Sequence, residues 1–252
     1  MDPFFDYFNQ ERPEINSDDS KWPAEWKKIE FKNYPRFPKI KLPKPRLEPV
    51  NLKDVITQRS SERTFLKKPF YIRQISNLFF YSCGIVKRKK EINKSHRAYP
   101  SGGRRYPVEL YLAIFSQDEI EPNKNTLKSG LYHYNVLTHT LEEILNEKRF
   151  PAWEEKLKNT LHYDFAKKAG GIILMTCVKH RASIKYGNLA YKFALLEAGH
   201  IAQNIYLLSR TNGIGGCSLG AVNEKVIHEL LDIDGTGECM LYALAIGNIS
   251  KK

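Results

Sequence analysis

Four stretches of this chain hold side chains whose types and spacing could do chemistry. The first is Arg59-Ser60-Ser61-Glu62-Arg63, two guanidinium groups with two hydroxyls between them. Arginine donates in a planar fork, which suits a phosphate or a polyol chain; solvated arginines beside a capping serine are the plainer alternative. The second is Tyr99-Pro100-Ser101-Gly102-Gly103-Arg104-Arg105-Tyr106-Pro107. Its small residues would let backbone approach a planar ligand closely, although an ordinary tight turn has the same composition. The third is Lys185-Tyr186-Gly187, followed by Glu197, His200 and Gln203 on an apolar stretch. Lys and Tyr together can move protons if burial or a neighbouring cation shifts either group. The three polar residues after them read as a structural network, because buried polar groups must be paired. The fourth is Gly213–Gly220, GIGGCSLG, which follows a helix and so is not a dinucleotide fingerprint; its amides could still face a ring.

Other chemistries are excluded or disfavoured. Cys83, Cys177, Cys217 and Cys239 form no CxxC pair, so reduced core cysteines are expected and a metal site is not. There is no phosphate-binding P-loop. His133 and His139 flank a hairpin turn and read as structural. The formal net charge of +12 is spread along the chain, apart from Lys87–Lys90. Without a zinc-finger spacing or an RNP-like aromatic motif, a solvated basic surface is favoured over a nucleic-acid site. No uncharged run spans a bilayer, and the acidic start MDPFFDYF lacks a signal-peptide layout. A cytoplasmic protein without a membrane anchor is expected.

The elements that must position these residues follow from periodicity. Residues 1–50 read as an extended arm, first acidic, then basic and proline-rich, with Trp22, Trp26, Phe31, Tyr34 and Phe37 as apolar anchors. A compact domain is expected over 51–252. Asn51 can cap a first helix, and Ile72–Cys83 predicts a second, stopped by Gly84. Val108–Phe115, Gly130–Tyr134, Gly171–Val178 and Met240–Gly247 predict strands, with a short segment at Gly215–Leu219. Leu141 is expected to open a short helix, 151–168 to be a polar helical stretch, Asn188–Arg210 a long buried helix and Glu224–Leu231 another. The two most apolar strands need cover on both faces, which argues for an α+β sheet between helical layers.

Taken in order, the pieces resemble the FMN-dependent nitroreductase superfamily, and within it the SagB-type dehydrogenases, azoline oxidases of thiazole/oxazole-modified peptide biosynthesis. The similarity spans about residues 20–250. It rests on RSSERTF (59–65), RAYPSGGRRYPVELYLAI (97–114), GLYHYN with His139 and Leu141, KYGNLAYKFALLEAGHIAQN (185–204) and GIGGCSLGAV (213–222), with an arm-like KWPAEWKKIEFKNYPRFPKIKLP before them. The resemblance implies a three-layer α-β-α sandwich with a central mixed sheet and a homodimer holding FMN at the subunit interface. It implies phosphate and ribityl contacts at Arg59, Ser60, Ser61 and Arg63, ring contacts at Pro100, Ser101 and Gly103, ring-edge contacts at Ser218, Leu219 and Gly220, and a helix position near the flavin at Gln203. It places the catalytic pair of the branch on Lys185 and Tyr186, one of which would take a Cα proton while hydride leaves Cβ for the flavin. A cyclodehydratase and a precursor peptide are the implied partners. Gly220, where some nitroreductases have Glu, fits this branch. Only Lys251 and Lys252 stand where the family's basic residue beyond the last strand completes the phosphate site, and so short a tail leaves little for a swapped arm. The alternatives are an NAD(P)H-dependent nitroreductase or quinone reductase, and a non-catalytic scaffold of a peptide-modifying complex.

Overall fold

The computed structural model describes Ile15, residues 18–116, residue 123 and residues 125–250. The acidic residues at positions 2–14 and the terminal Lys251 and Lys252 lie outside them. In chain order the helices are α1 (Ala24–Lys27), α2 (Leu52–Thr57), α3 (Ile72–Cys83), α4 (Trp153–Lys158), α5 (Asp164–Lys167), α6 (His180–Tyr186), α7 (Leu189–Thr211) and α8 (Glu224–Leu231). The strands are β1 (Lys39–Lys41), β2 (Ile85–Lys87), β3 (His96–Arg97), β4 (Val108–Ile114), β5 (Gly130–Asn135), β6 (Thr140–Leu145), β7 (Gly171–Val178), β8 (Ile214–Leu219) and β9 (Glu238–Asn248).

Every residue of β4 and of β7 is buried. Successive strand side chains point to opposite faces, so both faces must be covered. On one, Val108, Leu110, Leu112, Ile173 and Met175 pack with Ile75 and Leu78 of α3 and Ile201 and Ile205 of α7. On the other, Tyr111, Ala113, Ile172 and Leu174 pack with Trp153 and Leu157 of α4 and Ile227 and Leu230 of α8. The three-layer sandwich is therefore present. Its sheet runs β1-β6-β5-β4-β7-β9-β8. The expected mixed pairing is corrected: each of these pairs is antiparallel. Parallel neighbours need a crossover that re-enters the sheet in the same sense, whereas the segments carrying α4, α5 and α8 return the chain in the opposite sense.

Two further expectations change. Leu141 opens no helix; it lies in β6, between β5 and β1. Leu141, Ile144 and Leu145 have helical spacing, but strand pairing on both sides outweighs it. The polar stretch 151–168 breaks into α4 and α5, because Leu161 pairs with Val222 between them. Asn51 does cap α2, accepting from the Lys53 amide at 2.9 Å. Among the described residues no helix is long and apolar enough to cross a membrane.

The arm is bound to the sheet despite its prolines. Lys39–Lys41 adds an edge strand to β6, and Leu42 is buried. Lys32 forms an ion pair with Glu238 and donates to Tyr111 Oη at 2.6 Å. Beside it lies a buried charge chain: Arg181 of α6, Glu109 of β4, His133 of β5 and Glu142 of β6. The His133 ring nitrogens lie 3.0 Å from Glu109 and 2.9 Å from Glu142. Burial would lower the His133 pKa, but bonds to the two carboxylates outweigh it and raise the value above the ordinary 6.5. Burial would likewise raise Glu109, but Arg181 and His133 hold it well below the usual carboxylate range.

The sign of the pH effect follows. Below pH 6.5 the imidazole is charged both folded and unfolded, so its ionic contribution is complete. As pH rises the unfolded form loses its proton first, and the contribution disappears through the raised folded value. His133→Leu, which strands two buried carboxylates, is expected to cost about 3–5 kcal/mol near pH ~6. In paired urea titrations the gap to the unmodified protein should narrow as pH is raised; a constant gap would show that His133 acts by packing alone.

Candidate active site

Two groups of residues gather at opposite flanks of α7. The first forms where β7 runs into α6. Lys185 and Tyr186 occupy the last turn of α6, which ends at Gly187 with φ +54°. The turn before β4 is tied onto α6 by Arg105, whose Nε donates to the Arg181 carbonyl at 2.6 Å. In this turn Gly103, Arg104 and Tyr106 have φ of +56°, +56° and +48°, the region where only glycine is unstrained. A Cβ on Gly103 would collide with Tyr186 Oη and lie 3.1 Å from Lys185 Nζ. Glycine at 103 is what allows the turn to lie on the Lys-Tyr pair.

The pair has distinct surroundings. Lys185 is 2% exposed, with Nζ 2.9 Å from the ring centroid of Trp22 and 5.5 Å from that of Trp26. The Tyr186 ring meets Phe193 edge-on, with centroids 4.8 Å apart. Burial raises the Tyr186 pKa, opposed by the charge of Arg105, so its phenol stays protonated at neutral pH.

Beneath the turn sits Glu197 of α7. Ser101 Oγ donates to Glu197 Oε1 at 2.6 Å and accepts from the Tyr106 amide at 2.8 Å. Glu197 Oε2 is buried without a partner. Burial pushes this carboxyl up to about 8, against the bond from Ser101, so it is mostly protonated at neutral pH. The expected network of Glu197, His200 and Gln203 does not form: His200 and Gln203 are exposed. Steps of three residues turn a helix by about 300°, so the three positions drift ~120° around it.

The second group joins the 59–63 segment to β8 and the far end of α7. The Glu62 amide donates to the Gly216 carbonyl at 2.9 Å. The Glu62 carboxylate is held by Arg210 at 3.0 Å and by the Ser60 hydroxyl at 2.6 Å. The Arg59 guanidinium lies 5.6 Å from the Tyr206 ring centroid, and Tyr206 Oη donates to Ser218 Oγ at 2.9 Å and accepts from the Ser218 amide at 2.7 Å. Arg63 lies over Phe165.

The structure thus brings Gly103 to Lys185 and Tyr186 and Ser101 to Glu197, and seats the segment of Arg59, Ser60, Ser61 and Arg63 on β8 through Glu62, with Arg59 over Tyr206 and Arg63 over Phe165. Pro100 is exposed at the head of the first turn and Gly220 just beyond β8. Leu219 is 3% exposed and packs into the core under α8, so only its backbone is free to meet a ligand. Gln203 belongs to neither group. The carboxyl under Ser101, the tryptophans over Lys185 and the Tyr206–Ser218 link were not legible as site features. Their signal was faint: one Glu in an apolar helix, and two Trp in an arm.

The 59–63 segment offers two arginines to an anion, and the Ser101–Gly103 turn, on the other flank of α7, offers close backbone to a planar group. Among the described residues neither Arg59 nor Arg63 is paired with a carboxylate, because Glu62 is engaged by Arg210 and Ser60. The Ser101–Gly103 turn presents backbone without side-chain bulk. No cluster of three or more His, Cys, Asp or Glu among the described residues could hold a metal ion.

The fold and the family match together define an oxidoreductase of the nitroreductase type. The chain belongs to the nitroreductase family, whose model matches residues 56–248. It is similar to MJ1384 of Methanocaldococcus jannaschii, which carries a provisional nitroreductase name: 28% identical over 75% of this chain and 88% of that one. It is also similar to the trifolitoxin-processing protein TfxB of Rhizobium leguminosarum bv. trifolii (27% identical, over 60% of this chain and 39% of that one). The microcin B17-processing protein McbC of Escherichia coli is 24% identical over 61% of this chain and 55% of that one. The chain therefore spans about half or less of the two processing proteins. A provisionally named nitroreductase from Anabaena variabilis shares the fold with a TM-score of 0.67 at 24% identity, covering 91% of this chain and 41% of that one. The E. coli microcin synthetase McbBCD complex with truncated pro-MccB17 bound shares it with 0.58 at 21% identity, covering 84% and 78%. These relatives support the SagB-type branch that the motifs resemble.

Two outcomes test the geometry. Gly103→Ala should cost about 1–3 kcal/mol through backbone strain and displace Tyr186, read by thermal denaturation. Raising pH should ionise Glu197 near 8, visible as a carboxylate infrared band that Glu197→Gln removes. Because its folded pKa is raised, the stability linked to this group falls between pH 4.5 and about 8. If the band titrates in the ordinary range instead, the carboxyl is not buried under the turn.

Proposed function

We propose that this protein is an FMN-dependent dehydrogenase that oxidises thiazoline or oxazoline rings carried on a peptide. The observation that carries the reading is Lys185 and Tyr186 seated directly against the Ser101–Gly103 turn. FMN, when bound, would supply the hydride acceptor, held by Arg59, Ser60, Ser61 and Arg63 at its phosphate and ribityl end and by Pro100, Ser101 and Gly103 along its ring. Removing hydride from Cβ of the azoline leaves a Cα proton that a base must take. The Tyr186 phenol stays protonated, so it orients the substrate as a hydrogen-bond donor. Proton acceptance is assigned to Lys185 in its free-amine form, which carries the lone pair the step requires. The buried Glu197 carboxyl accepts from Ser101 and so holds its hydroxyl on the α7 side of the turn.

The reading includes a homodimer. Glu197 and Tyr206 are nine residues apart on α7, which is ~13 Å along the helix and ~180° around it. Three steps of the sheet, ~14 Å, separate β4 from β8. The ring-facing turn and the phosphate-facing arginines of one protomer therefore lie on opposite flanks of α7. A two-fold partner crossing at this helix would bring the turn of one chain to the arginines of the other. Leu195 and Leu196 of α7 and Leu52 and Ile56 of α2 are exposed, as such an interface requires. The relatives named for microcin and trifolitoxin processing support a cyclodehydratase and a precursor peptide as partners. Free, buried Cys83, Cys177 and Cys217 suit the reducing cytoplasm.

The test is single-turnover oxidation of an azoline peptide by FMN-loaded protein. Lys185→Ala should slow it by about 10²–10⁴-fold with flavin content unchanged, and Tyr186→Phe by less. Full activity in both variants would overturn the mechanism. Fast flavin bleaching by NADPH together with inert azolines would instead establish a nitro- or quinone reductase.

A further inference from the structure

Between the arm and the Ser101–Arg105 turn lies a pocket of about 340 Å³. Its walls include the rings of Trp22 and Trp26, and its charged lining is Lys27, Lys94, Arg104 and Arg105 against Glu91 alone, four cations to one carboxylate. Three of the cations are already engaged. Lys27 donates to the Ser20 carbonyl at 2.9 Å and Lys94 to Glu91 at 3.0 Å, while Arg105 binds the carbonyls of Arg181 and Trp26. The Arg104 guanidinium has no ion-pair or hydrogen-bond partner among the described residues, on a residue held at φ +56°. Such strain in a non-glycine residue persists where the surroundings impose it. The pocket shares Gly103 and Trp22 with the Lys185–Tyr186 pair, and the Trp22 ring is the partition between Lys185 and the pocket.

We propose that this pocket is a subsite for an acidic side chain of the peptide that carries the reacting ring, with Arg104 as its ion partner and Trp22 as the wall it shares with Lys185. The inference rests on the peptide-substrate reading above and adds the residue class beside the ring. The size decides the occupant. Ligand sites run from ~300 to ~1,000 Å³, so this one is at the small end, with room for a side chain and its neighbouring backbone but not for a dinucleotide. Its charge excess selects an anion, and the tryptophan faces cover the methylene groups that carry it. A peptide entering here presses on Trp22, so seating the neighbouring residue and uncovering Lys185 become one event.

The experiment uses the full chain loaded with FMN and a short blocked Asp/Gly peptide, with its Asn/Gly counterpart as control. Binding is read from tryptophan emission. Trp22 and Trp26 line the pocket, and the third tryptophan, Trp153, is buried under the opposite face of the sheet. The Asp peptide should give a saturable change that weakens as salt is raised, and the Asn peptide about tenfold weaker binding or none. Arg104→Glu should weaken the Asp peptide at least tenfold, whereas Lys225→Glu, the same charge change on exposed α8, should not; both variants are first matched in thermal midpoint. Equal binding of the two peptides, equal losses in the two variants, or displacement of the peptide by NADPH at its own saturating concentration would overturn the proposal. Because the probe carries no azoline, its binding is read apart from turnover. A protein that binds it through Arg104 yet oxidises no azoline refutes the proposed activity and retains the subsite.

Discussion

Glu109 is a carboxylate in the middle of a strand whose every residue is buried, and it cannot remain charged there without partners. It has two. Arg181 reaches it from α6 and His133 from β5. The first contact sets the rotation of α6, and Lys185 lies one turn further along the same helix. The second passes through His133 to Glu142, which accepts from the Tyr34 amide and pairs with Lys39 at 3.2 Å. One buried charge therefore ties both the helix of the Lys-Tyr pair and the N-terminal arm to the sheet. Breaking it would loosen Lys185 and Tyr186 from two sides, which makes Glu109 a structural determinant of where that pair sits.

The site itself is built from close approach rather than from deep enclosure. Gly103 allows the turn to touch Tyr186, Trp22 covers Lys185, and Glu197 supports Ser101 from below. Each contact joins segments from different parts of the chain: the arm, the turn before β4, the end of α6 and the middle of α7. The basic segment at 59–63 is assembled separately, around β8 and Tyr206. The two groups therefore lie apart, on opposite flanks of α7. The two-fold arrangement proposed above closes that gap.

Periodicity carried much of the architecture. The unbroken apolar runs in β4 and β7 require two helical layers, and the apolar spacing in α3, α7 and α8 is helical. The Leu141 segment shows where this fails. Its apolar positions suit a helix, but both edges are claimed by β5 and β1, and pairing partners are not visible in a local window. The same limit applies to the Glu197, His200 and Gln203 set. Their spacing put them on neighbouring helical positions, while the direction in which the sheet lay turned one inward and left two in solvent.

What the sequence by itself determined is the inventory: glycines where backbone must come close, two arginines around two serines, adjacent Lys and Tyr, and an order of motifs that resembles one family. These are properties of residue type and short spacing, which survive without knowledge of neighbours. The tertiary structure alone decided which of them meet. It set Trp22 on Lys185, protonated Glu197 by burying it, and gave the Glu62 carboxylate to Arg210, so that Arg59 and Arg63 face no carboxylate among the described residues. The reason is physical. Desolvation and pairing depend on what lies within a few ångströms in space, and the partners here are separated by tens to more than a hundred residues along the chain.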